Sequence, residues 1–146
     1  MNPSEIEFFM AQALLEGRKA VEKCYPNPPV GCVLTRNGKI FARGHTNEPG
    51  EPHAEIMAIN TVRCNLENVT CFVLLEPCSY VGRTPSCARE LVDRGIRKVF
   101  IGAIDPHPQN RGAGIDILKN AGIRVESGIL EKEVRSQLSE HFAKYC

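Results

Sequence analysis

The 146-residue chain has no surplus of charge of either sign: 18 Lys and Arg stand against 17 Asp and Glu, a formal net charge of +1. A surface that lives on nucleic-acid phosphate or anionic lipid carries a basic excess, so neither polymer is the expected partner. A basic start followed by a long apolar run is also missing. Residues 1–17 hold two early glutamates instead, which excludes a signal peptide and a membrane span and predicts a cytoplasmic protein. There is no low-complexity tract, linker or internal repeat, so one domain over residues 1–146 is expected. With 42% hydrophobic and 24% charged residues, a chain of this length can bury a real core. Seven cysteines, an odd number, in a chain without a secretion signal read as thiols or metal ligands rather than as a disulfide framework.

Ser4 and Glu7 have the spacing of a capping box, and Ile6, Phe9, Met10, Ala13 and Leu14 follow at helical spacing, predicting a first helix of four or five turns. Three prolines around Asn27 stop it. Asn37-Gly38 between two apolar runs predicts an antiparallel hairpin of 30–35 with 39–43. Beyond it, helices are expected at 53–63, 86–94, 113–120 and 130–145, alternating with strands at 70–75, 98–104 and 124–127. That alternation predicts an α/β chain with a mixed five-stranded sheet, helices on both faces and the hairpin at one edge.

The chemistry concentrates in Pro52-His53-Ala54-Glu55 and in the run from Glu76-Pro77-Cys78 to Cys87. His53, Cys78 and Cys87 supply one imidazole and two thiols, three of the four ligands that tetrahedral Zn²⁺ takes, and a missing fourth is what separates catalytic from structural zinc. His53 and Cys87 fall at expected helix starts, and Cys78 just beyond a buried strand, at the sheet edge where open α/β proteins bind ligands. Glu55, in the first turn after His53, can approach a water without ligating the metal. The alternatives are a structural zinc closed by a fourth thiol such as Cys71, or a zinc-stabilised binding module. Cys32 and Cys71 otherwise read as small core residues, Cys64 and Cys146 as incidental, and His45 and His107 as turn or surface histidines.

His-x-Glu with Pro-Cys and a second cysteine is the pattern of zinc-dependent nucleobase deaminases, in which the Glu carries protons and is not a ligand. Here the two cysteines stand nine positions apart rather than three. Asn27-Pro28-Pro29-Val30-Gly31, Gly50-Glu51-Pro52-His53-Ala54-Glu55, Glu76-Pro77-Cys78-Ser79, Gly82-Arg83-Thr84-Pro85-Ser86-Cys87 and Asp105-Pro106-His107-Pro108 closely resemble the deaminase domain of the bifunctional riboflavin-biosynthesis deaminase/reductase. The resemblance implies a cytidine-deaminase-like three-layer α/β/α sandwich, a Zn²⁺ cofactor held by His53, Cys78 and Cys87, and Glu55 as the catalytic proton carrier. It further implies a phosphorylated diaminopyrimidine substrate losing its 2-amino group, contacts from Asn27, Ala54, Thr46 and Tyr80, a phosphate contact from Arg83, and a homo-oligomer. Thr46 and Tyr80 stand where that family has histidines, and no counterpart of the reductase domain follows, which leaves two courses open: a separate reductase that takes the product, or a different pathway that deaminates a related aminopyrimidine or guanine-like ring. A nucleoside or tRNA deaminase of the same superfamily is the alternative enzyme; it calls for a basic rim and a Cys-x-x-Cys that this chain lacks.

Overall fold

The computed structural model describes residues 1–79 and 86–145. Its first helix, α1 (Pro3–Arg18), is capped by Asn2, whose Oδ1 accepts the Glu5 amide at 2.9 Å. The expected Ser4 cap is displaced because Pro3, with its fixed φ and no N–H to satisfy, fits the first helical position. The apolar stripe of α1 is buried as expected at Phe9, Met10, Ala13 and Leu14. Phe9 packs on Phe72, which stacks on Phe100 with ring centroids 5.0 Å apart.

Strands β1 (Gly31–Arg36) and β2 (Lys39–His45) form the hairpin, and both residues of its Asn37-Gly38 turn have positive φ. Strands β3 (Thr70–Leu75), β4 (Lys98–Ala103) and β5 (Arg124–Ser127) complete one sheet of order β2-β1-β3-β4-β5. β1 runs antiparallel to β2 and β3, and β3, β4 and β5 are parallel to one another. β3 and β4 are buried along almost their whole length, which is why they read as unbroken apolar runs.

Two glycines show where the layers lie. A Cβ on Gly31 would overlap the carbonyl oxygen of Ala13, so α1 lies against that face of the sheet. A Cβ on Gly44 would overlap the Ala54 carbonyl in α2 (Ala54–Ile59). Gly44 pairs with Cys32, and adjacent residues of a strand point to opposite faces, so α2 lies on the other side. α3 (Cys87–Asp93) packs beside α2, and α4 (Ala113–Asn120) beside α3. Val134 of α5 (Glu131–Gln137) meets Gly102 on the α1 face. The three-layer arrangement is thus the expected one.

Two helices differ from expectation. α2 ends at Ile59, four residues early, because Arg94 reaches across and donates to the carbonyls of Ile59, Val62 and Cys64. The final helix is broken at Leu138 into α5 and α6 (Ser139–Tyr145). The break buries Leu138 and turns α6 so that His141 reaches Asp105 at 2.9 Å, a contact that no local periodicity announces. No helix among the described residues is long and apolar enough to cross a membrane.

Candidate active site

His53 is the N-cap residue of α2, and Cys87 is the first residue of α3, whose cap is the Ser86 hydroxyl accepting the Arg89 amide. Cys78 lies three residues beyond β3, and its loop is fastened to α3. The Cys78 carbonyl accepts from the Ser86 hydroxyl at 2.9 Å and the Ala88 amide at 3.1 Å, while its sulfur accepts the Cys87 amide at 3.2 Å. These anchors bring the ring of His53 to 3.3 Å from the Cys87 sulfur and 3.8 Å from that of Cys78. All three donor atoms lie within 4.8 Å of one another.

One imidazole and two sulfurs at that spacing is the donor chemistry of a zinc site with three protein ligands, so the residues fit the ion. Cys71 does not join them. It is buried in β3 with its sulfur 3.6 Å from that of Cys32, and both sit in the core as expected. The Cys87 thiol and the His53 ring hold the Cys78 thiol down to about 5 against the opposing effect of burial. An ionised thiol is the form that binds a metal.

Glu55, in the first turn of α2, is 4% exposed. Burial pushes its carboxyl up to about 7, against the attraction of His53. That value suits a group that must both accept and return a proton near neutrality. Ala54 is fully buried between His53 and Glu55. A cleft of about 220 Å³ opens over these groups, lined among others by Asn27, Thr46, Asp105 and His107. The hydroxyl of Thr46 is occupied by Val30, accepting its amide at 3.0 Å and donating to its carbonyl. His45 turns the other way, with Nδ1 2.6 Å from the buried Glu16 carboxylate. Tyr80, Arg83 and Cys146 lie outside the described residues.

Sequence reasoning assigned no role to a second polar cluster behind the donors. Glu76, buried at the end of β3, accepts the backbone amides of Asp105, Gly112 and Ile115. It thereby caps α4, whose own cap residue is a glycine without a side chain. Asp105 accepts from Asn110 and the His107 amide, and pairs with His141. Asn110 also donates to the carbonyls of Glu76 and Pro77, tying the cluster to the peptide just before Cys78. Only the position of Glu76 beside Pro77-Cys78, and of Asp105 beside Pro106, hinted at this.

Burial would push the Asp105 carboxyl up, but His141, the His107 amide and Asn110 outweigh it and hold the carboxyl below its ordinary value. A depressed folded-state value stabilises the fold at pH above the unfolded carboxyl's value, about 3.9, and that contribution is lost as pH falls through the folded value. Melting temperature measured against pH should therefore drop more steeply below about pH 4 in the wild type than in Asp105→Asn. Parallel acid limbs for the two proteins would contradict this account of the pair.

Comparison with other proteins agrees with the geometry. Residues 3–103 match the cytidine and deoxycytidylate deaminase zinc-binding region. The chain is 39% identical over 137 residues to the riboflavin biosynthesis protein RibD of Aquifex aeolicus, covering 94% of this chain and 38% of that protein. It is 37% identical over 126 residues to the diaminohydroxyphosphoribosylamino-pyrimidine deaminase of Buchnera aphidicola, covering 86% of each. The crystal structure of the diaminohydroxyphosphoribosylaminopyrimidine deaminase/5-amino-6-(5-phosphoribosylamino)uracil reductase of Thermotoga maritima superposes with a TM-score of 0.92 at 38% identity, over 98% of this chain and 42% of that one. The chain thus spans about two fifths of the length of its RibD relatives. Matched in sequence along most of its length and in fold, the chain belongs to the cytidine and deoxycytidylate deaminase family, in the branch of the riboflavin-biosynthesis deaminases.

Proposed function

We propose that this chain hydrolyses the 2-amino group from a diaminopyrimidine that carries a ribosylamino 5′-phosphate, releasing ammonia and leaving a ring carbonyl. The observation that carries the reading is Glu55, a carboxylic acid buried in the first helical turn after His53, at a cleft it shares with His53 and Cys78 of the clustered His53, Cys78 and Cys87 donors. The likeness to the Buchnera diaminohydroxyphosphoribosylamino-pyrimidine deaminase, of which the chain covers 86%, supports the substrate class.

His53, Cys78 and Cys87 would hold a zinc ion, which when bound supplies the Lewis acidity that makes hydroxide available near neutral pH. Glu55 does the proton work. Its carboxylate takes a proton from the attacking water and gives it to the ring nitrogen, then takes the second proton from the newly added hydroxyl as the ring carbonyl forms and gives it to the departing amine, which cannot leave as the strongly basic amide ion. Burial favours this role twice over, by raising the proton affinity of Glu55 and by keeping bulk water from competing for the proton. Asn27, on the cleft wall, is placed to donate or accept a hydrogen bond at the edge of a bound ring.

The test is ammonia release from purified protein challenged with the phosphorylated diaminopyrimidine, its dephosphorylated form, cytidine and guanine. Turnover of the phosphorylated diaminopyrimidine in preference to cytidine and guanine is expected. Turnover of cytidine or guanine alone would overturn the substrate assignment, and zinc without turnover of any of the four would favour a binding module.

A further inference from the structure

One wall of the cleft is α6, and the residues it presents there are His141, Lys144 and Tyr145. Their i, i+3, i+4 spacing stacks them on one side of the helix. His141 is held by Asp105, and the ring of Tyr145 lies 5.1 Å from that of His141 and 4.6 Å from that of His107. These contacts fix the rotation of α6 and so keep Lys144 directed at the cleft. Among the described residues that line the cleft, Lys144 is the sole lysine or arginine. No carboxylate among the described residues lies within ion-pair distance of it. The Glu76 and Asp105 carboxylates of the same cleft are already committed to other partners.

Space gives the cation a use. At about 220 Å³ the cleft is smaller than the roughly 300 Å³ at which pockets for whole drug-sized ligands begin, so it takes a heterocycle but not a sugar phosphate as well. A second hollow of about 340 Å³ adjoins it, sharing Pro26, Asn27, Pro28, His141 and Lys144. Lys144 therefore stands at the junction, where a tail leaving the ring must pass.

We propose that Lys144 is a specificity-determining residue that binds the phosphate of the substrate's tail, which runs from the cleft along α6. The inference rests on the functional reading given above. Arg83 lies outside the described residues, and Lys144 would act in addition to it.

The test is steady-state ammonia release by wild type, Lys144→Gln and Lys144→Arg on the phosphorylated diaminopyrimidine and on its dephosphorylated form. Lys144→Gln should raise KM for the phosphorylated compound by about tenfold or more, the loss of one charge-assisted hydrogen bond, with kcat within about twofold. It should leave the dephosphorylated compound unaffected, and Lys144→Arg should recover most of the loss. Lys144 is exposed, so melting temperatures should not differ. An unchanged ratio of kcat/KM between the two compounds in Lys144→Gln would overturn the role of Lys144 while leaving the deaminase reading intact. Absence of ammonia release from either compound by the wild type would instead overturn the functional reading, and the role of Lys144 would fall with it.

Discussion

Glu55→Gln is expected to cut ammonia release by about 10²- to 10⁴-fold or more, the usual contribution of a positioned acid–base group, while zinc content and melting temperature stay at wild-type values. Gln keeps the shape of Glu and can still hydrogen-bond, but it cannot carry a proton from water to the ring and on to the amine. The fold has no stake in the charge. Glu55 is buried, and removing an ionisable group from a buried place relieves a desolvation cost rather than adding one. Glu55 is also not one of the three clustered donors, so metal retention should not depend on it. A kcat within a few-fold of wild type, measured by coupled ammonia detection, would remove Glu55 from the chemistry; loss of zinc in the same variant would make it a ligand.

Glu76→Ala should destabilise the protein by about 3 to 5 kcal/mol in urea denaturation, among the larger effects a single substitution produces. Three backbone amides, those of Asp105, Gly112 and Ile115, would lose their acceptor. An amide left unsatisfied in the interior costs about 1–3 kcal/mol. Glu76→Gln, which keeps one oxygen and places an NH₂ where the other stood, should lose less. Because Asn110 ties the Glu76 and Pro77 carbonyls to Asp105, the Ala variant should also bind zinc more weakly. A loss below about 1 kcal/mol, the net value of one ordinary hydrogen bond, would show that the three amides find other partners.

The parts of this molecule that sequence makes legible are those dictated by local chemistry. β3 and β4 are unbroken apolar runs because both sheet faces are covered, and Asn37-Gly38 marks the hairpin because both residues tolerate positive φ. The proposed zinc donors His53, Cys78 and Cys87 and the proposed proton carrier Glu55 stand out because a metal and a proton carrier demand particular side chains at particular spacings. What escaped is set by partners far away in the chain. α2 stops where Arg94, 35 residues beyond Ile59, takes its carbonyls. The last helix breaks so that His141 meets Asp105, 36 residues earlier. Lys144 is for the same reason anonymous in sequence: the rotation of α6 that brings it to the cleft is set by His141 meeting Asp105 and Tyr145 meeting His107.

The most direct test of the central claim is a count of metal and its donors. Purified wild-type protein should contain one zinc per chain, with X-ray absorption showing two sulfur and one nitrogen donors from protein, and His53→Ala or Cys87→Ala should contain none. Metal-free wild type, a third sulfur or second histidine nitrogen around the zinc, or full occupancy in either variant would contradict it.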